Sequence, residues 1–185
     1  SKQNITSISG VPTWTIVLIK KVLDLTKSKN IIDVWPNLEL FIHGAVSFDP
    51  YRQLFKELIP KKDMNYLETY NASEGFFAFQ DTFESNAMLL MTNHGIFYEF
   101  EDLKSGEVMN LENVEVDKQY ALIISTYSGL WRYKVGDTIL FTSINPYRVV
   151  VTGRTKQFIN AFGEEVIVQN SDKAISNACE KTNSS

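Results

Sequence analysis

The sequence is poor in the residues that cross-link a chain or hold a zinc ion. Its single cysteine, Cys179, cannot form a disulfide within the chain. The two histidines, His43 and His94, do not combine with Cys179 into the spacing of a zinc site. A lone cysteine is typical of the reducing cytosol, and we therefore predict a cytoplasmic protein.

Long apolar runs and an excess of positive charge are also lacking. The apolar run at 14–19 is far too short to cross a bilayer, and two lysines follow it. The formal net charge is −4, which disfavours general binding to nucleic acids or anionic membranes. We therefore predict no nucleic-acid partner and no membrane partner, and we expect any bound phosphate to be held by backbone amides or a few cations.

Two further absences narrow the chemistry. The sequence has no glycine-rich phosphate loop of the Walker type and no Ser/Thr-Gly-Thr loop. No Ser-His-Asp or Cys-His triad can be drawn from the positions of its residues either. A P-loop nucleotidase and a hydrolase with a nucleophilic triad are therefore disfavoured.

The sequence does contain enough apolar material for one sizeable core, since 44% of its 185 residues are hydrophobic. Apolar residues at helical spacing predict a helix over 11–26, and a shorter helix is predicted over 51–58. The apolar residues of the first helix are Trp14, Val17, Leu18, Val22 and Leu25.

Short strands separated by turns fill the middle of the sequence. They are predicted over 38–43, 64–70, 76–80, 87–91, 95–100, 120–126, 131–133, 137–141 and 148–152. A turn at 93–95 predicts a hairpin, and 101–118 is predicted to be less ordered. A further hairpin is predicted over 158–168, followed by a helix over 171–179 that Ser171 caps. This pattern predicts an α+β fold, with a β-rich antiparallel sheet or distorted barrel and flanking helices.

A first motif, Tyr70-Asn71-Ala72-Ser73-Glu74, lies at the end of a predicted strand. The carboxylate of Glu74 is a hard oxygen ligand, suited to Mg²⁺ that bridges nucleotide phosphates. Tyr70 offers a flat face for an adenine ring, and Ser73 offers a hydroxyl for a phosphate oxygen. Taken alone, a glutamate before glycine is more often an ordinary solvated turn residue, and Tyr70 can be an ordinary core residue.

Two further motifs lie at 133–137 and 152–156, and small residues follow the strand that ends at His43. Asp137 can accept two hydrogen bonds, which matches the vicinal hydroxyls of ribose, and Arg154 can fork two bonds to phosphate or ribose. Gly44 and Ala45 allow a flat ligand to approach the backbone closely. The alternatives are a turn aspartate, a surface arginine and an ordinary strand exit, and His43 is more often a structural hydrogen-bonding residue than an acid–base group.

With these motifs, the sequence resembles the acyl-acid amido synthetase family, also called the auxin-responsive promoter family of plants, and in particular a bacterial-type member. That family lies within the adenylate-forming superfamily of firefly luciferase and the acyl-coenzyme A ligases. The resemblance covers nearly the whole sequence and is most specific at 11–14, 30–47, 66–77, 129–137 and 146–166.

The resemblance implies ATP and Mg²⁺ as cofactors and assigns their ligands. A Tyr-x-x-Ser/Thr-Glu motif that holds adenine and Mg²⁺ in the family is matched by Tyr70, Ser73 and Glu74. Glu74 is thus the metal ligand and the residue that the resemblance makes catalytic. A Tyr-x-x-Gly-Asp motif that holds ribose is matched by Tyr133 and Asp137.

The same resemblance places two smaller features. Gly44 and Ala45 match a Gly-Ala pair near the adenine, and Arg154 matches the arginine of a Gly-Arg pair before the interdomain hinge.

The resemblance also implies a domain division. Residues 1–154 match the central and late part of the large nucleotide-binding domain, and 155–185 match the hinge and the start of a mobile C-terminal domain. The family's phosphate loop lies upstream of such a segment and its catalytic lysine lies downstream. We therefore expect an internal piece of a longer enzyme, without synthetase activity by itself and able to self-associate through exposed sheet edges.

For the full-length protein, the function that the resemblance implies is a ligase that activates a carboxylic acid as an acyl-adenylate and transfers the acyl group to an amine, with an amino acid as the expected amine. Its partners are then these small-molecule substrates. The alternatives are an acyl-coenzyme A ligase of the same superfamily, a non-catalytic nucleotide-binding relative, and a β-rich interaction domain in which all three motifs are turns.

Overall fold

The protein is built on one large sheet with two helices. A computed structural model describes residues 3–155, residue 177 and the backbone course of 158–161 and 164–167. The helices are α1 (Pro12–Thr26) and α2 (Arg52–Leu58), with 3-10 turns at Ile31–Asp33, Asp49–Tyr51 and Leu111–Asn113. The strands are β1 (Ser7–Ser9), β2 (Leu40–Gly44), β3 (Asn65–Ala72), β4 (Gly75–Phe79), β5 (Met88–Leu90), β6 (Ile96–Asp102), β7 (Val108–Asn110), β8 (Gln119–Thr126), β9 (Tyr133–Ile144), β10 (Tyr147–Arg154), β11 (Phe158–Ala161) and β12 (Glu164–Ile167).

Ten of these strands form one sheet in the order β1-β2-β3-β4-β5-β10-β9-β8-β6-β7. Strands β1, β2 and β3 pair in parallel, and every later pair in this sheet is antiparallel. The β-rich α+β class with flanking helices is therefore confirmed. The parallel strands were not predicted, because periodicity marks a strand without indicating the direction of its partner.

The antiparallel part of the sheet curls until strands far apart in the sheet order touch. The rings of Phe77 in β4 and Tyr98 in β6 lie 6.5 Å apart between centroids, although four strands separate β4 from β6 in the sheet. Gly75 makes this approach feasible, since a Cβ there would come within 2.9 Å of the Ile96 side chain. The interior of the curl is a core of buried aromatic and aliphatic side chains.

A second core lies where α1 and α2 pack on the parallel strands. Phe41 of β2 stacks on Phe55 of α2 with 4.7 Å between ring centroids, and Ile19 of α1 is fully buried nearby. The two cores position the ends of β2 and β3, where the predicted nucleotide residues lie.

Four local predictions need correction. Trp14, Val17, Leu18 and Leu25 are exposed on α1, and the buried residues are Pro12, Thr15, Ile16 and Ile19. Strands β5 and β6 do not form a hairpin; β5 pairs with β4 and β10, and β6 with β7 and β8. The segment predicted to be less ordered contains β7, and the strands predicted over 131–133 and 137–141 are one continuous strand, β9.

Strands β11 and β12 pair in antiparallel fashion, so the hairpin predicted over 158–168 is confirmed. The helix predicted over 171–179 lies outside the described residues, apart from residue 177, which is helical. Within the part of the chain that the structure describes, no helix is both long enough and apolar enough to cross a membrane.

Candidate functional site

Asp137 is the centre of a buried hydrogen-bond network. The Tyr70 hydroxyl donates to Asp137 Oδ2 at 2.9 Å, and Arg154 Nε donates to Asp137 Oδ1 at 2.9 Å. Only 7% of Asp137 is exposed, whereas the Arg154 side chain is 62% exposed. Burial, together with the neighbouring Asp137, raises the pKa of the Tyr70 hydroxyl far above its ordinary value, so Tyr70 stays protonated and donates.

The curl of the sheet brings this network together. Tyr70 belongs to β3 and Asp137 to β9, and in the flat sheet order these strands are four steps apart, about 19 Å at the usual strand spacing. The irregular register of β10 then aligns Arg154, since a shift between Val151 and Gly153 sets Arg154 opposite Asp137. Bulges of this kind commonly redirect side chains beside functional sites.

A second contact links the other two motifs. The Tyr133 hydroxyl, at the start of β9, donates to Glu74 Oε1 at 3.1 Å across 59 residues of sequence. Glu74 lies in the turn between β3 and β4, directly after Ser73, which is exposed. This hydrogen bond raises the pKa of Tyr133 above its ordinary value. One oxygen of Glu74 thus remains available to a ligand within the described surroundings.

Gly44 and Ala45 end β2 beside β3. A Cβ on Gly44 would come within 2.4 Å of the Thr69 carbonyl oxygen, so the close packing of the two strands requires glycine here. Ala45 is exposed and has a left-handed backbone with φ of 70°. Because Gly44 pairs with Thr69, the residue before Tyr70, this strand exit is adjacent to the Asp137 network.

The structure thus brings together Tyr70, Asp137 and Arg154 in one network and Glu74 and Tyr133 in another. Their roles toward a ligand stay predictions. The Tyr70 ring differs from expectation, because it is only 7% exposed and packs against Phe77 at 4.9 Å between centroids. In this conformation the Tyr70 hydroxyl orients Asp137. The face of the Tyr70 ring is covered, although this face was expected to be open to an adenine ring.

Two supporting residues were not predicted. The Thr69 hydroxyl donates to the His43 carbonyl oxygen at 3.1 Å and so fixes the end of β2. Thr155 ties the end of β10 to β9, since its backbone N–H donates to the Gly136 carbonyl oxygen at 2.8 Å. Thr155 lies within the 152–156 motif and was expected to begin a hinge, but no sequence signal indicated that either threonine makes these contacts.

Chemically, the arrangement is an oriented carboxylate with spare acceptor capacity. A carboxylate offers about four lone-pair positions, and Tyr70 and Arg154 occupy two of those of Asp137. Two remain for a ligand diol, and the exposed guanidinium of Arg154 can turn toward an anion. This site can therefore bind a hydroxyl-rich, negatively charged small molecule.

Family models match two stretches of the chain. The GH3 family N-terminal domain matches residues 2–64, and the GH3 family central domain matches 89–154, which together make up more than two thirds of the 185 residues. The chain belongs to the GH3 family. Residues 65–88, with Tyr70, Ser73 and Glu74, lie between the two matches.

Curated relatives of this GH3 chain are plant proteins. It is 28% identical over 150 residues to the probable indole-3-acetic acid-amido synthetase GH3.1 of Arabidopsis thaliana, covering 75% of the chain and 25% of that relative. It is 27% identical over 130 residues to the indole-3-acetic acid-amido synthetase GH3.4 of the same plant, covering 62% and 21%. The chain therefore spans about a quarter of the length of these relatives.

Solved structures of two ligases share this fold. The GH3.15 acyl acid amido synthetase matches with a TM-score of 0.71 at 20% identity, over 83% of this chain and 28% of that one. A 2-hydroxyisobutyryl-CoA ligase in the postadenylation state, in complex with 2-HIB-AMP, matches with a TM-score of 0.69 at 15% identity, over 94% and 38%. The bacterial-type assignment within the GH3 family stays a prediction.

Proposed function

We propose that the full-length protein carrying this chain is a GH3 ligase that activates a carboxylic acid as an acyl-adenylate and transfers the acyl group to an amine, in particular an amino acid. The observation that carries the proposal is the convergence of three separate motifs, in which Tyr70, Asp137 and Arg154 meet around one carboxylate. An interaction domain has no need to assemble such a buried charged network from distant strands.

In this proposal Asp137 accepts hydrogen bonds from the ribose hydroxyls of ATP. Tyr70 holds the carboxylate in place from beneath, and its burial keeps the hydroxyl protonated in that role. In the absence of a ligand, Arg154 neutralises the charge of Asp137. When ATP binds, Arg154 turns its exposed guanidinium toward ribose or phosphate.

Glu74 and Tyr133 form the part of the site nearest to the phosphates. Mg²⁺ usually takes one or two carboxylates together with substrate phosphates, and Glu74, which is partly exposed and has one oxygen without a described partner, fits that requirement. When bound, Mg²⁺ would neutralise the charge that develops on the phosphates. Tyr133 orients Glu74, and the exposed hydroxyl of Ser73 is available to a phosphate oxygen.

The adenine is proposed to lie against Gly44 and Ala45, where the backbone is close to β3 and no large side chain intervenes. The carboxylate of the acid then attacks the α-phosphate, and pyrophosphate leaves. The amine next attacks the acyl carbon, and AMP leaves. Positioning and electrostatic neutralisation account for most of the rate in such a reaction.

We also propose the domain division at 154/155, a cytoplasmic location and ATP with Mg²⁺ as cofactors. A mobile C-terminal domain beginning at 155 would close over the mixed anhydride and keep water away from it. Thr155, tied to Gly136 of β9, would anchor the fixed side of that hinge.

The proposal is tested by the products of the full-length protein with ATP, Mg²⁺ and a panel of aryl, indolyl and aliphatic acids. One set of reactions contains a mixture of amino acids and the other contains coenzyme A. We expect mass spectrometry to detect an amide and AMP in the first set. A thioester in the second set, without amide in the first, would instead support the acyl-coenzyme A ligase alternative that the 2-hydroxyisobutyryl-CoA ligase fold keeps open.

A further inference from the structure

A cavity of about 190 Å³ is lined by residues of β2, β3, α2 and the segment that follows β4. Most of the lining residues are polar, and none belongs to the motifs at 70–74, 133–137 and 152–156. Its lining includes His43, Arg52, Tyr66, Glu68 and Asn86. At about 30 Å³ for each water, the space is large enough for several waters or for one small organic molecule.

One buried residue, His43, and one half-buried residue, Glu68, carry side-chain polar atoms in this lining without a partner among the described residues. His43 is only 4% exposed, and its Nδ1 makes no hydrogen bond there. The Glu68 side chain makes no described hydrogen bond or ion pair, because only its backbone groups pair with Gln80. The two residues lie directly opposite each other on β2 and β3. Buried polar groups are normally satisfied, so the unpaired Nδ1 of His43 favours a hydrogen-bonding molecule in this cavity.

The cavity lining carries both signs of charge, with Glu68 on β3 and Arg52 on α2. Arg52 and Asp49 of the preceding 3-10 turn are near enough to influence the pKa of Glu68, and Tyr66 lies two residues from Glu68 on the same face of β3. Arg52 contacts Asp49 at 3.2 Å, but both side chains are substantially exposed, so this pair is weak and leaves other guanidinium N–H groups free to donate. His43 stacks on Phe48 with 4.1 Å between ring centroids, which fixes the ring.

We propose that this cavity is a binding site for a small α-amino acid, with the ammonium at Glu68 and His43 and the carboxylate at Arg52. A zwitterion of this size supplies what each group lacks: an ammonium donates up to three hydrogen bonds to the Glu68 carboxylate and the neutral His43 ring, and a carboxylate accepts from a guanidinium. His43 of the site precedes Gly44 on β2, and amino-acid binding here does not require the proposed adenylation reaction.

The protonation states agree with this ligand. Burial raises the pKa of Glu68 to about 7 and lowers the pKa of His43 to about 4. His43 is therefore neutral at pH 7 and can accept a hydrogen bond from an ammonium. Glu68 ionises as the pH rises through 7, so binding strengthens from pH 6 to pH 8, while the ligand ammonium remains charged.

The test is isothermal titration of the 185-residue chain, at pH 6, 7 and 8, with glycine, L-alanine and L-serine. Propionate and ethylamine serve as half-ligands that carry one charge each. We expect saturable millimolar binding of at least one amino acid, at least tenfold weaker binding of both half-ligands, and a tighter dissociation constant at pH 8 than at pH 6.

Glu68→Gln keeps the shape of the side chain and removes its charge, and we expect it to weaken amino-acid binding about tenfold and to abolish the pH dependence. Glu84→Gln, at an exposed glutamate, is the matched control and should bind like the wild type. Should Glu68→Gln fail to fold, Arg52→Gln tests the carboxylate end in the same way. The absence of saturable binding in the wild type, or equal affinity in the wild type and Glu68→Gln, overturns the proposal and leaves a cavity filled by water alone.

Discussion

At the scale of single residues, one hydrogen-bond network joins Tyr70, Asp137 and Arg154, which were each predicted as nucleotide ligands. The contact between Tyr70 and Asp137 spans 67 residues of sequence and depends on the curl of the sheet, which no local pattern encodes. Motif spacing therefore does not indicate how the protein holds these side chains, and their roles toward a nucleotide stay predictions.

The role of Tyr70 is tested by Tyr70→Phe in the full-length protein. Removal of the hydroxyl leaves Asp137 with Arg154 as its only described partner, so the carboxylate is less well oriented. A hydrogen bond to a charged group contributes roughly 1.5–3 kcal/mol, and we expect the dissociation constant for ATP to rise at least tenfold. Titration with ATP and with 2′-deoxy-ATP measures the effect, and the preference for the ribose form should shrink.

Tyr98→Phe is the matched control for this variant. Tyr98 is also buried, and its hydroxyl donates to the Met91 carbonyl oxygen, away from Asp137. The Tyr98→Phe variant should therefore bind ATP with the same affinity as the wild type. If Tyr70→Phe and Tyr98→Phe change ATP affinity equally, or if the preference for ribose is unchanged in Tyr70→Phe, Tyr70 does not act through Asp137.

At the scale of secondary-structure elements, the positions of the helices and most strands in the sequence were predictable. The buried face of a helix and the pairing partner of a strand were not. Helices α1 and α2 and most strands lie where the pattern predicted them, but α1 buries a different face. Apolar residues occur on both faces of α1, so periodicity alone cannot select the face that packs on β2. The predicted pairing of β5 with β6 was also wrong, because the turn at 93–95 connects these strands in sequence although they are not neighbours in the sheet.

The orientation of α1 is tested by two neighbouring truncations. Ile19 is fully buried, and Ile19→Ala should lower the free energy of unfolding by about 2–5 kcal/mol, because it removes buried apolar atoms and leaves a cavity. Leu18 is 54% exposed, and Leu18→Ala should change it by about 0.5 kcal/mol or less. Chemical denaturation of both variants measures the difference, and a larger loss in Leu18→Ala would mean that the opposite face packs.

The turn from β6 to β7 makes a prediction about acid stability. Lys118 contacts Asp102 Oδ2 at 2.7 Å, and the backbone N–H groups of Lys104 and Ser105 donate to Oδ1. These contacts, Lys118 first, hold the pKa of Asp102 well below its ordinary value near 4. The stabilisation is therefore present above about pH 4 and is lost as the pH falls below it.

Asp102→Asn removes this dependence. We expect the variant to have a lower thermal midpoint of unfolding than the wild type at pH 7. The difference between the two midpoints should become progressively smaller below pH 4. Asp24→Asn, at an exposed aspartate on α1, is the control and should follow the wild type at every pH. A gap that stays constant down to the lowest pH would show that the charge of Asp102 does not contribute to stability.

At the scale of the whole molecule, the family fold was predictable from long specific motifs, whereas the curvature of the sheet was not. The resemblance rested on stretches such as 146–166, and the family models and solved structures agree with it. Curvature arises from contacts such as Gly75 against Ile96, between residues distant in the sheet, which a single sequence does not reveal.

Self-association through sheet edges stays a prediction at this scale. The outermost strands of the described sheet, β1 and β7, are three residues long, and short edge strands limit pairing with a second copy. The chain spans about a quarter of its curated relatives, so the activity proposed for the full-length protein also depends on parts beyond this site.

The central claim is most directly tested by carboxylate-dependent exchange of pyrophosphate into ATP by the full-length protein, across aryl, indolyl and fatty acids. The account predicts exchange with at least one acid, a loss of about 100-fold or more in Glu74→Gln, as when one preorganised electrostatic contact is removed, and normal exchange in Glu84→Gln. Absence of exchange with every acid, or exchange that is unchanged in Glu74→Gln, would contradict it.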